Sequence, residues 1–297
     1  MSEEKEERIY DVVDDVHIAM DAEMFKDFFD LMATLIIIEV QVKIRDDGLY
    51  LQQMDEPHVG MTIMFIPKPY FKVLKAGKVV DELRLPVKDI TAILSRLSHG
   101  DVIDFSVRES GKLHVEIQGK RIRSFNLPLI TPEELERRVP KITPSVKIKT
   151  TMEGLLYGIE DAQSFIMSGK KKKEALGQIL MKTTAMGLKI EASTEDGLYS
   201  SVATLTSGWD IMQFVGSIDQ RVAIAVSYGI DMIRAISKIT NLVQLEFSTD
   251  MPLHIIAELP FKGANLEFWI APRIEEAAKP TAAEARAAEA KEEVSEE

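Results

Sequence analysis

The strongest constraint on this chain is that it repeats itself. Residues 16–19 read as a short strand. Residues 23–34 follow as an amphipathic helix, with Phe25, Phe28, Phe29 and Met32 at i, i+3, i+4 and i+7. Strands are predicted over 37–45, 49–54 and 59–66. Residues 84–86 lead into a second helix over 87–98, whose Ile90, Ile93, Leu94 and Leu97 share one face. Strands over 102–108, 113–118 and 122–127 close the round. The second round has a strand at 146–149 and a helix at 152–165 with Leu155, Ile159, Ala162 and Ile166 on one side. Strands follow at 176–183, 187–192 and 200–205. Residues 222–226 then lead into a helix over 230–239 and strands at 243–248 and 253–259. The helices recur at an offset of about 130–140 residues, too long for a solenoid unit, so the spacing predicts a duplicated domain. With few helices and many strands, the expected fold class is α+β: antiparallel sheets with two helices per half on one face. Such sheets have edges, and an uncovered edge invites another strand.

Between the rounds, residues 129–144 hold Pro132, Pro140 and Pro144 and the charged run Glu133-Glu134-Leu135-Glu136-Arg137-Arg138. They read as an exposed linker; an ordinary helix between sheets is the other reading of the bare residues. The expected organisation is an acidic N-terminal extension (1–10), a first domain (11–128), the connecting loop (129–144), a second domain (145–276) and an acidic tail (277–297). The formal charge of −12 is concentrated at the ends: residues 1–15 and 275–297 carry −5 each, leaving −2 for the body. The tail, rich in Ala and Glu, has no apolar stripe to bury and is expected to be disordered or a frayed helix. There is no cysteine, which excludes disulfides, thiolate catalysis and cysteine zinc sites. No apolar run approaches the ~20 residues that cross a bilayer. The opening Met1-Ser2-Glu3-Glu4 is acidic where a signal peptide is basic, so an intracellular protein is expected, cytoplasmic and nucleoid-associated if archaeal.

Three segments, taken in order, narrow the reading: Asp47-Gly48-Leu49-Tyr50-Leu51-Gln52-Gln53-Met54-Asp55-Glu56-Pro57-His58-Val59, then Met251-Pro252-Leu253, then Phe268-Trp269-Ile270-Ala271-Pro272-Arg273-Ile274-Glu275-Glu276. This collinear series, running over roughly residues 10–276, resembles the proliferating cell nuclear antigen (PCNA) sliding clamps, archaeal type. The resemblance implies two clamp domains in a closed ring, sheets outside and helices lining the hole. It implies a DNA polymerase processivity factor without catalytic activity or cofactor, acting in DNA replication and repair. It encircles duplex DNA without sequence preference. It tethers polymerase, flap endonuclease and DNA ligase, and is loaded by a clamp-loading ATPase. The ring would be a homotrimer or a heterotrimer of related subunits. Its closing strands here would lie at about 120–127 and 200–205.

The resemblance also assigns residues. Partner peptides with the PIP motif, a Gln followed by an aliphatic and two aromatics, would plug a pocket walled by Met54, His58, Val59, Pro252, Trp269, Ala271, Pro272 and Ile274. Leu135 or Val139 would be the apolar contact from the connecting loop. Trp269 is unusually large for this wall, and without the resemblance Trp269 and Met54 read as core. DNA would face Lys88 and Arg96 on the second helix, Arg234 and Lys238 on the fourth, and Lys26 on the first. The first and third helices depart from the family pattern: Glu23, Asp27 and Asp30 surround Lys26, and Glu153, Glu160 and Asp161 leave the third acidic. A weak, sequence-blind attraction suits a sliding ring; a mixed ring in which other subunits supply charge is the alternative. Lys170-Lys171-Lys172-Lys173 reads as a solvated loop that could also reach DNA.

A search for chemistry finds no phosphate-binding loop, dinucleotide fingerprint, H-E-x-x-H or G-x-S-x-G. Asp55 and His58, in one turn, are the residues on which a two-domain hydrolase would have to rest. A clamp relative specialised for the damage response is a further alternative.

Overall fold

The computed structural model describes residues 16–34, 38–77, 81–108, 112–132, 139–164, 176–194, 200–259 and 262–273. The acidic N-terminal extension, the tail, Leu135, Ile166, the Lys170–Lys173 run and Ile274 lie outside them.

The first half runs β1 (His17–Asp21), α1 (Ala22–Thr34), β2 (Glu39–Ile44), β3 (Gly48–Met54), β4 (Gly60–Pro67), β5 (Phe71–Lys75), β6 (Glu82–Pro86), α2 (Val87–Leu94), β7 (Val102–Arg108), β8 (Lys112–Gln118) and β9 (Arg123–Pro128). The second half runs β10 (Val146–Thr151), α3 (Met152–Ser164), β11 (Leu176–Thr184), β12 (Gly187–Thr194), β13 (Ser200–Thr206), β14 (Ile211–Gly216), β15 (Arg221–Ala225), α4 (Val226–Ser237), β16 (Leu242–Phe247), β17 (Leu253–Ala257) and β18 (Asn265–Ile270). The order of strands and helices is identical in the two halves.

The sheets repeat as well. The first half has a five-stranded sheet, β5-β1-β7-β8-β9, and the strands β6-β2-β3-β4; the second has β14-β10-β16-β17-β18 and β15-β11-β12-β13. Every ladder between these strands is antiparallel. β18 pairs with β4, from Asn265 opposite Phe65 to Ile270 opposite Gly60. That joint fuses five strands of the second half with four of the first into one nine-stranded sheet. The equivalent strands, β9 and β13, are left as sheet edges among the described residues.

Local chemistry explains the helices. Asp21 caps α1, its Oδ1 accepting the backbone N–H groups of Glu23 (3.0 Å) and Met24 (3.2 Å). Phe25, Phe28, Phe29 and Met32 are buried as their spacing predicts, and Phe25 meets the ring of Phe105 on β7 at 4.8 Å. Thr151 caps α3 through the N–H of Gly154 (3.1 Å). Farther along α3, a Cβ at Gly158 would sit 2.4 Å from Leu205 Cδ1 of β13, so a larger residue there would require the leucine to move. The helices form one row in the order α2, α1, α4, α3, each touching the next.

Some bounds differ from the sequence reading. α2 ends at Leu94, where Ser95 is already the cap, because Asp101 draws the backbone N–H of Ser98 into a turn (3.0 Å). α4 begins at Val226, four residues before the apolar stripe that marked it. β5 and β14 were not foreseen; both are outer strands of their sheets, with mixed exposure and no clean alternation.

Candidate partner pocket and helix faces

The strand register gathers most of the pocket residues at one end of the nine-stranded sheet. Leu253 lies opposite Ile270 and Ile270 opposite Gly60, so Pro252, Ala271 and Val59 are neighbours. The backbone N–H of Ala271 donates to the carbonyl of Val59 at 2.8 Å, tying the C-terminal segment to the 55–59 turn. Pro252, Ala271 and Pro272 are half-buried. Met54 is 41% exposed, and its sulfur lies 3.0 Å from Nδ1 of His58. Val139 is exposed.

The turn is held by Asp55, which is buried. Its Oδ1 accepts the N–H groups of Val59 (2.8 Å) and Gly60 (3.0 Å). His58 takes the left-handed conformation (φ 57°) that the turn requires. Asp55 is thus committed to the backbone while the His58 ring turns to Met54. Among the described residues the Asp55 and His58 side chains make these separate contacts rather than one with each other.

Trp269 is placed differently from its pocket neighbours. Alternation along β18 sends Leu266, Phe268 and Ile270 into the main core and Glu267 and Trp269 to the opposite face. There Trp269, only 8% exposed, joins Met61 and Ile63 of β4 in a separate apolar island, with Tyr50 and Ile142 packed against it. Ile142 comes from the segment that connects the two halves. Trp269 is therefore neither main core nor open wall. Met61, Ile63, Tyr50 and Ile142 were not singled out from the sequence; the shared parity of Met61, Ile63 and Trp269 was the available signal.

A polar network supports the island. The His254 ring stacks on Trp269, centroids 3.8 Å apart and planes 10° from parallel. Its Nδ1 lies 3.2 Å from Glu246 and its Nε2 3.0 Å from Glu267. Asn265 donates to Glu267 at 2.5 Å; Lys147 and Gln244 each reach Glu246 at 2.7 Å. The hydrogen bond from His254, joined by one from Asn265, holds the Glu267 carboxyl below its usual value against the opposing effect of burial. For Glu246 burial is the largest single influence and pushes upward, but Lys147, His254 and Gln244 together outweigh it and the group is also lowered.

On the helix row, the five basic residues divide. Lys88, Arg96 and Lys238 are exposed and form no ion pair among the described residues. Arg96 lies beyond the end of α2, in the turn. Lys26 is paired with Asp30 one turn on, and Arg234 with Glu160 of α3 at 2.9 Å. Asp27, between them, is raised: burial is the chief cause, Asp30 and Glu23 add to it, and Lys26 and Lys238 oppose it. The row is thus only sparsely positive. No helix among the described residues is long and apolar enough to cross a membrane.

No protein-family model matches the chain. It is 28% identical over 258 residues to "DNA polymerase sliding clamp 1" of Pyrobaculum aerophilum, covering 86% of this chain and 97% of that one. It is 27% identical over 253 residues to the DNA polymerase sliding clamp of Thermococcus gammatolerans, covering 84% and 96%. Among solved structures it superposes on PCNA of Thermococcus kodakaraensis with a TM-score of 0.74 (19% identity, 86% and 99% covered). The Sulfolobus tokodaii PCNA2–PCNA3 complex gives 0.72 (21%, 86% and 99%). A. fulgidus PCNA bound to the C-terminal region of FEN-1 gives 0.71 (21%, 88% and 99%). The fold is the clamp fold, and the sequence relatives are archaeal sliding clamps of the PCNA family.

Proposed function

We propose that this chain is a subunit of an archaeal DNA sliding clamp: a non-catalytic ring member that encircles duplex DNA and tethers polymerase, flap endonuclease and ligase, with a clamp loader to open it. The observation that carries this reading is the pair of unjoined edges. β18 and β4 close one seam inside the chain, while among the described residues their equivalents β9 and β13 are sheet edges, as β5, β6, β14 and β15 also are; a head-to-tail ring member needs two such complementary edges. The row of four helices then faces the hole. Lys88, Arg96 and Lys238 supply a weak attraction to phosphate, suited to sliding because it imposes no register. Lys26 and Arg234, already paired, contribute less. In this reading the acidic extension (1–10), first clamp domain (11–128), connecting loop (129–144), second clamp domain (145–276) and acidic tail (277–297) are proposed from the sequence.

The partner pocket is Met54, His58, Val59, Pro252, Ala271 and Pro272, with Ile274, Leu135 or Val139 completing it, and with Trp269 beneath Ile142 as its apolar floor. Aromatic anchors of a PIP peptide find there an apolar surface rimmed by polar groups. Tethering works by effective concentration, since a bound enzyme stays near the primer end. The test is topological. Loaded onto a nicked circular plasmid, the protein is expected to remain bound in high salt and to be released when the plasmid is cut. Equal retention on circular and linear DNA would overturn the reading.

A further inference from the structure

We infer that the acidic N-terminal segment of this chain, residues 1–15, covers the open edge of β5, with residues 8–12 lying along the strand and the carboxylates meeting the lysines that this edge presents.

The place follows from where the segment joins the fold. It runs into β1, and β1 is the strand on which β5 pairs, His17 opposite Lys75 and Met20 opposite Phe71. Val16 is still held there, its carbonyl accepting the N–H of Val107 at 3.4 Å. The segment therefore leaves the sheet beside the last residue of β5. The other side of that exit is basic too: Arg108 ends β7 opposite Lys112, which is exposed. The second half has the same entry. The chain leading into β10 passes beside β14, where the N–H of Ser217 donates to the carbonyl of Ser145 at 3.2 Å.

Charge selects the occupant. β5 and β14 are equivalent end strands, and each ladder shifts register once, between Ala19 and Met20 and between Lys149 and Thr150. Aligning the two shifts puts Lys72 at the place of Met212 and Lys75 at that of Val215. Met212 is 60% and Val215 52% exposed, and both lysines are exposed. The same two outward positions are thus apolar on one edge and cationic on the other, and the cationic edge is the one beside which an acidic segment enters. Residues 67–77 hold three lysines and no acid; residues 1–15 hold seven acids and two bases. Such complementarity directs a segment to one surface rather than another. The segment also has the chemistry of a strand, since Ile9, Tyr10 and Val12 are of the types that favour extended backbone. From Val12 to Val16, at ~3.3 Å per residue, the chain spans the ~10 Å of two strand spacings that separate β1 from a strand beyond β5. An open edge invites pairing with foreign strands; here the chain closes it with its own end, held by charge and so releasable.

Hydrogen exchange tests this. In low salt the amides of residues 71–75 should exchange at least about tenfold more slowly in the full chain than in a chain lacking residues 2–14, because a covered edge opens less often. About 1 M salt, which screens charges beyond ~3 Å, should remove most of that difference. Lys72→Glu/Lys75→Glu should exchange like the shortened chain, and adding Glu3→Lys/Glu4→Lys/Glu6→Lys/Glu7→Lys should restore slow exchange. A peptide of residues 1–15 added to the shortened chain gives a reading that no substitution in β5 can confuse: it should slow residues 71–75 and leave residues 211–216 unchanged. Equal exchange with and without the segment overturns the inference and leaves the lysines as edge guards on their own. Slow exchange in both chains that deepens with protein concentration also overturns it, by making a second copy the cover. Protection that the deletion abolishes but that neither salt nor charge reversal alters overturns the pairing with the lysines. β9 lies at the other end of this sheet, so none of these results touches the ring reading.

Discussion

The seam that β18 and β4 close and the edges that β9 and β13 leave open among the described residues occupy equivalent places in the duplicated sheets but are built from different residues. At the closed seam the outer face carries Trp269, Met61 and Ile63, and the inner face Leu266, Phe268 and Ile270, nearly all buried. At the open edges the equivalent outer positions are Asn126, Ser200 and Val202, and the inner ones Arg123, Phe125 and Leu127, half-buried at most. A joint inside one chain never has to come apart and is built as core. The uncovered edges mix Phe125, Leu127 and Val202 with polar Arg123, Asn126 and Ser200, where the closed seam is almost wholly apolar. The backbone geometry is common to both; the side chains decide which joint is permanent.

Phe268→Ala should break the closed seam. Phe268 is 1% exposed in the main core, and truncating such a side chain costs about 3–5 kcal/mol. Phe125→Ala, at the equivalent place on the open edge, should cost the isolated chain roughly half that and act mainly on assembly. Thermal melts of both variants beside their solution masses check this; equal losses of stability would dissolve the contrast.

Trp269→Ala comes next. Trp269 lies in a small island, so the loss of fold stability should be smaller, on the order of 2–3 kcal/mol. A PIP peptide should bind at least about tenfold more weakly, roughly 1.4 kcal/mol, while the ring persists. Calorimetric titration reads the first effect and light scattering the second; unchanged peptide affinity would remove Trp269 from the pocket.

The carboxylates under the island give a pH dependence of known sign. Glu267 and Glu246 are both held below their usual values in the folded chain. Their contribution is therefore complete above the unfolded carboxylate pKa, about 4.3, and is lost as pH falls through the lower folded values. Melting temperatures followed from neutral pH downward should fall in that acid range. The fall should be shallower in His254→Gln, where a donor common to both carboxylates is weakened. An identical acid limb in the variant would show that His254 does not hold them.

Much of this was legible in the sequence, for identifiable reasons. The duplication showed because helix periodicity survives in Phe25, Phe28, Phe29 and Met32 and in Leu155, Ile159 and Ala162, all buried as expected. The strands β9 and β13 showed because the family pattern placed them at about 120–127 and 200–205. Three things did not show. The end of α2 goes with Asp101, which lies four residues past the apolar stripe and draws Ser98 into a turn that the stripe itself does not signal. The pairing of Arg234 with Glu160 depends on how α3 and α4 meet, so a cation that looked free on its own helix is engaged. The support of Trp269 by His254 is set by strand register, as partners fifteen residues apart on neighbouring strands carry no local signature. The residues that seeded the clamp reading are mostly turn and strand-end positions. Those that hold them in place are distributed through the sheet.

The smallest effect expected is at the rim of the same network. Lys147, half-exposed on β10, reaches Glu246 at 2.7 Å, and Glu246 in turn faces His254. Exposed ion pairs contribute about 0–1 kcal/mol, and one partner here keeps its charge in water, so Lys147→Ala should cost less than about 1 kcal/mol in neutral low-salt buffer. Glu246 retains Gln244 and His254 as donors, so its carboxylate is not left unpaired, and the stack on Trp269 should be undisturbed. High salt should erase most of the difference between variant and parent, since it screens the Lys147 contact and leaves the buried hydrogen bonds alone. A loss of several kcal/mol that persists in high salt would mean that the outer face of the closed seam is coupled as tightly as its core, and that the two seams differ less in kind than in the number of large side chains they carry.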